Sequence, residues 1–202
     1  HKGRFDSALF KEMGKFAGWN FLGNFTISIC NEGINMVLNI FGGVIANAAR
    51  AISTQVLKGI ESLSDRMSTA FAPQATQQYA IGDNNKFQDL IFLSTKLINF
   101  LYLLMAIPMS LFAPFVLELW LGNVPEYSVE FVRAILVYGL ARSIHSPLNL
   151  CFQCSGKLKM YQILELCFLL PSLPIAYILL KMGQPLYWAL LAMAITNLIN
   201  NV

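Results

Sequence analysis

Apolar residues fill six long blocks of the chain, about 16–41, 45–72, 90–119, 129–153, 160–180 and 186–202. Short clusters of Gly, Pro, Asn, Asp and Lys divide them: Gly42-Gly43, GDNNK (Gly82 to Lys86), LGNVPEYS (Leu121 to Ser128), SGKLK (Ser155 to Lys159) and KMGQP (Lys181 to Pro185). A bilayer core about 30 Å thick takes about 20 helical residues to cross. The pattern therefore predicts an all-α, polytopic transmembrane bundle of about six helices, the last cut short at Val202. The second helix is expected to run on to about Tyr79 and leave the bilayer, with Pro73 and GDNNK closing it. Pro108 and Pro114 in the third span, and Pro171 and Pro174 in the fifth, predict kinks. Before the first span, residues 1–15 are basic, yet Phe5, Leu9, Met13 and Phe16 recur at near-helical spacing. That spacing predicts a short amphipathic segment on the cytoplasmic membrane surface, giving two regions, 1–15 and 16–202.

Composition agrees with lipid as the solvent. Of 202 residues 56% are hydrophobic and 12% charged, against roughly 25% charged in a soluble domain. Six crossings use up the length, so a separate soluble domain is not expected. The net charge of +3 is small, and the cations sit at loops rather than in a stripe with interleaved aromatics, which argues against nucleic acid as a partner. Lys2, Arg4, Lys11, Lys15, Lys86, Lys157 and Lys159 fall on one side of the alternating loops, against Lys181 alone on the other. Cytoplasmic loops collect Lys and Arg, so the N-terminal end is expected in the cytoplasm. The chain starts at His1 without Met and carries no cleavable signal pattern, and the expectation is a fragment of a longer protein.

Polar residues at membrane depth cost roughly 2.5–3.5 kcal/mol for a charge at mid-span, so their placement carries information. Asn20, Asn24, Ser28, Asn31, Asn35 and Asn39 repeat at steps of three or four along one face of the first span. Asn47, Arg50, Thr54, Lys58, Glu61 and Asp65 do the same on the second helix, and Tyr138, Arg142, His145 and Asn149 on the fourth. Such faces suit helix–helix packing, with Lys58 and Glu61 an ordinary intrahelical pair, or they line a water-filled cavity. In the second case Arg50, Lys58, Arg133, Arg142 and His145 outnumber Glu61 and Asp65. A net cationic cavity takes a phosphate- or carboxylate-bearing guest. The candidate lining set is Arg50, Lys58, Asn47, Glu61, Arg142, His145, Asn24 and Asn31, led by Arg50 and Arg142.

Other signals point away from chemistry at a catalytic centre. Cys151 and Cys154 have a CxxC spacing but no second ligand pair, and with Cys30 and Cys167 they lie in apolar stretches, as reduced structural thiols do. His145 has no Cys or acid at metal-ligand spacing. Glu165 is either a proton carrier or a partner inside the bundle. No nucleophile motif, Gly-rich phosphate loop or convergent carboxylate pair is present, so no enzyme, cofactor or metal is expected. A membrane-embedded glycosyltransferase would need loops longer than these.

FKEMGKFAGWNFLGN (Phe10 to Asn24), FGGVIANAARAISTQV (Phe41 to Val56), APQATQQYAIGD (Ala72 to Asp83), LWLGNVPEY (Leu119 to Tyr127) and SGKLKMYQ (Ser155 to Gln162) together resemble Wzx-type polysaccharide (O-antigen) flippases. These belong to the MATE-like multidrug/oligosaccharidyl-lipid/polysaccharide superfamily. The resemblance spans essentially the whole chain and is to the second of two six-helix lobes, which implies a missing N-terminal lobe as partner. It implies translocation of undecaprenyl-diphosphate-linked oligosaccharide across the bacterial inner membrane by alternating access, for O-antigen or capsule synthesis. The implied partners are that lipid-linked oligosaccharide and the membrane lipids, and the lobe alone is expected to be inactive. It also implies a lipid-diphosphate contact at Arg50, within the Asn47 to Arg50 segment that matches most strongly. A cation-coupled multidrug exporter of the same fold is the alternative.

Overall fold

The computed structural model describes residues 7–155 and 158–200. Among these residues every regular element is a helix: α1 (Ser7–Ile81), α2 (Asn84–Leu111), α3 (Ala113–Leu121), α4 (Ser128–Cys154), α5 (Leu158–Leu169), α6 (Ser172–Lys181) and α7 (Trp188–Asn200). Seven helices make six crossings. α1 supplies two, because Gly43 interrupts it at φ 62°, ψ −157°, a region essentially closed to residues with a Cβ. The chain folds back there into two arms, 7–42 and 44–81. The first arm runs unbroken from Ser7, so residues 7–15 continue the helix of the first span; residues 1–6 lie outside the described set, as does the start of the expected surface segment. The second arm passes through Pro73 to Ile81.

The third and fifth crossings are jointed. α2 and α3 meet at Phe112, whose N–H donates to the Pro108 carbonyl at 2.9 Å, and Pro114 takes the first turn of α3, where its missing N–H costs nothing. α5 and α6 meet at Leu170 and Pro171. Turns at Gly122 and Gly183 close one end of the bundle. At the other end Asp83 caps α2, accepting from the Lys86 N–H at 3.2 Å and pairing with its ammonium at 2.9 Å. The Lys86 hydrogen bonds hold the Asp83 carboxyl below the usual carboxylate range.

α4 is the hub, packed on α1, α2, α5 and α7. Phe131, Val132 and Ile135 of α4 are buried against Ile34, Leu38 and Leu57 of α1 and Leu190 and Met193 of α7. Tyr102 of α2 is buried beside them and donates to the Leu136 carbonyl at 2.7 Å. Outward faces are apolar: Phe92, Phe100, Leu104, Ile107 and Leu111 of α2 stand exposed. Ala17–Ile81, Asn84–Leu111 and Gln162–Lys181 are each long and apolar enough to cross a membrane. A bundle that is apolar outside and polar within is a multi-pass membrane protein.

Candidate substrate cleft

The polar stripes of both arms of α1 and of α4 face one another across a groove in two compartments. The outer one, about 290 Å³, lies toward the Gly43 end and is lined by Asn31, Glu32, Arg50, Lys58, Tyr138 and others. The inner one, about 360 Å³, lies toward the opposite end and is lined by residues that include Asn24, Asp65, Asn149, Gln162, Glu165 and Asn197. Glu61 and Arg142 line both. They pair across the boundary at 3.7 Å, with Arg142 over the Tyr138 ring at 6.0 Å.

Most of the polar stripe satisfies itself within its own helix. Asn24 donates to the Asn20 carbonyl, Ser28 to that of Asn24 and Asn31 to that of Ile27, while the hydroxyls of Ser53 and Thr54 donate to the Arg50 carbonyl. Intrahelical bonding of this kind is the low-cost way to carry Ser, Thr and Asn through a membrane. Arg50 is different. Only 5% exposed, it donates from Nη2 to Asn31 Oδ1 at 3.3 Å, while Nε and Nη1 are buried without a partner. A buried guanidinium with unused donors has capacity for an anion.

Of the residues expected to line a cavity, Arg50, Asn31, Lys58, Glu61, Arg142 and Asn24 are brought to the groove. Asn47 is half-buried and lines neither compartment. The His145 side chain lies outside the described set. The expected excess of cations is overturned. Arg133 faces away into an apolar surface groove with Val137 and Leu191, where its Nε donates to the Ser110 carbonyl at 3.2 Å. Glu32 and Glu165 join the lining instead, so the described walls hold Arg50, Lys58 and Arg142 against Glu32, Glu61, Asp65 and Glu165. The charge is segregated, with Arg50 and Lys58 outside and Asp65 and Glu165 inside. Gln162 and Asn197 escape a periodicity reading because each stands nearly alone in an apolar run. The i, i+3 spacing of Gln162 and Glu165 was the available signal. Among the described residues no three His, Cys, Asp or Glu gather as metal ligands.

Residues 21–178 match MatE. The chain belongs to the MatE family. MatE-fold structures agree along its whole length. A crystal structure of MATE in the straight conformation superposes with a TM-score of 0.87 at 18% identity, covering 98% of this chain and 45% of that one. MATE in the bent conformation gives 0.86 at 17%, covering 99% and 45%. MATE in complex with MaL6 gives 0.85 at 17%, covering 98% and 46%. No curated protein matches. The chain spans under half the length of those solved chains and has the fold of one lobe of such a transporter.

Proposed function

We propose that this MatE chain is one lobe of a flippase that carries undecaprenyl-diphosphate-linked oligosaccharide across the bacterial inner membrane, N-terminal end in the cytoplasm, working against a second lobe of similar size. The observation that carries this reading is Arg50, buried with Nε and Nη1 unpartnered in a polar compartment that Lys58 also lines. A diphosphate supplies several strong acceptors to such donors. The groove runs along the bundle, Arg50 and Glu61 being about 16 Å apart along their helix. Head group and sugars pass through it while the lipid tail stays in the bilayer, and the two lobes rock about the site.

One observation favours a second reading. Asp65 and Glu165 in the inner compartment are what a cation-coupled multidrug exporter would present to a cationic guest. Expression of the two-lobed transporter in cells whose own flippase is deleted separates the two. Surface glycan restored by the parent and lost in Arg50→Ala at equal membrane abundance supports the flippase. Failure to restore any glycan type, with active efflux of a cationic dye, supports the exporter.

A further inference from the structure

The inner compartment has a chemistry of its own. At about 360 Å³ it falls within the range of about 300–1,000 Å³ typical of small-molecule sites. That is roughly twelve times the ~30 Å³ share of one water, far more than a bare ion at coordination distance occupies. Its lining combines three carboxylates with amides and hydroxyls. Glu61, Asp65 and Glu165 face it, and Arg142, the one cation of its described lining, is already drawn to Glu61 at 3.7 Å. Two further groups point to a ligand independently of that acidic cluster. Gln162 is 7% exposed and its Oε1 is buried with no partner, and Ser64 is 6% exposed with an equally unpartnered Oγ. Both line the compartment, and buried polar atoms are seldom left without a hydrogen-bond partner; Gln162 Oε1 can only accept, whereas the Ser64 hydroxyl can accept or donate.

The missing partner is therefore a molecule rich in O–H or N–H donors. The amides of Asn149 and Gln153, bonded to each other at 3.0 Å, add both donors and acceptors to the same wall. Mixed amide and carboxylate groups hydrogen-bond vicinal hydroxyls, whereas a carboxylate on the entering sugar would meet Asp65 and Glu165, with Glu61 already paired to Arg142. We propose that the inner compartment is the lobe's sugar subsite, one that takes neutral or amine-bearing sugar units and rejects units bearing a carboxylate. This rests on the flippase reading and refines it: the diphosphate is held at Arg50 and the sugars lie beyond the Glu61–Arg142 boundary.

The test is translocation in proteoliposomes by the two-lobed transporter, with three probes. They are undecaprenyl diphosphate bearing N-acetylglucosamine, glucosamine or glucuronic acid. The glucuronate probe is expected to move about tenfold more slowly than the other two, as close like charges in a partly dehydrated site require. Glu165→Gln and Asp65→Asn, made separately so that one misfolded variant does not decide the matter, each narrow that ratio by several fold. Arg50→Ala slows all three probes alike. Equal rates for the three probes, with ratios unmoved in both acid variants, overturn the sugar subsite while leaving the flippase intact. Movement of none of them, together with dye efflux lost in Glu165→Gln, overturns the flippase and the subsite with it.

Discussion

Gly139 sits where α4 crosses both α2 and the second arm of α1. A Cβ built there would overlap Leu57 Cδ1 and the Tyr102 hydroxyl, and that hydroxyl is committed to the Leu136 carbonyl. Three crossings meet at this point, so the missing side chain sets how near the polar face of α4 comes to those of α1. Overpacking a site of this kind costs about 1–3 kcal/mol. Gly139→Ala should lower the melting temperature of the detergent-purified protein and should weaken the Tyr102 hydrogen bond. An unchanged melting temperature would mean that the helices separate at little cost and that the groove is loosely packed. Gly23 makes the same kind of approach to Gln162 of α5, which holds the Gln162 amide against the inner compartment.

At the scale of the element, the hairpin of α1 depends on one residue. Gly43 adopts φ 62°, ψ −157° with open space around it, so only backbone strain opposes a side chain there. Gly43→Ala is expected to destabilise the fold by about 1–3 kcal/mol. Gly59 lies inside the second arm, also with nothing within 4 Å of an added Cβ. Its replacement by Ala should do the opposite, gaining about 0.5–1 kcal/mol of helix propensity. Thermal unfolding of the two variants side by side is the check. Equal shifts of the same sign would show that α1 does not turn at Gly43. The proline joints differ from this hinge because no residue there takes a positive φ. Phe112 and Leu170 mark where α2 and α5 hand over to α3 and α6.

For the molecule as a whole, the question is which end faces the cytoplasm. The loop at Lys86 and the segment around Lys159 share an end with Trp19, over which the Lys159 ammonium lies at 5.5 Å from the ring centroid. Lys157 lies outside the described residues. We propose, from the excess of Lys and Arg at this end, that it faces the cytoplasm. With Cys30, Cys151, Cys154 and Cys167 replaced by Ala, Asn123→Cys should react with an impermeant maleimide on intact cells. Asn85→Cys should react only after the membrane is opened. The reverse labelling would invert the orientation and put the Arg50 compartment on the cytoplasmic side.

The sequence by itself determined the number of crossings, the breaks between them and the polar faces of the two arms of α1 and of α4. These are local properties: apolar run length, Gly and Pro backbone limits, and a period of about 3.6 residues. Arg50 and Arg142 could be singled out for the same reason, since a charge in an apolar helix stands out on one strand of text. Tertiary structure alone decided which faces meet. Periodicity places Arg133 and Arg142 on α4 but does not fix how that helix is rotated against α1 and α7. The rotation follows from close approaches such as Gly139 to Tyr102 and Gly23 to Gln162. It turns Arg133 outward, brings in Gln162, Glu165 and Asn197 from helices that read as apolar, and divides what composition presented as one cationic cavity into a basic and an acidic compartment.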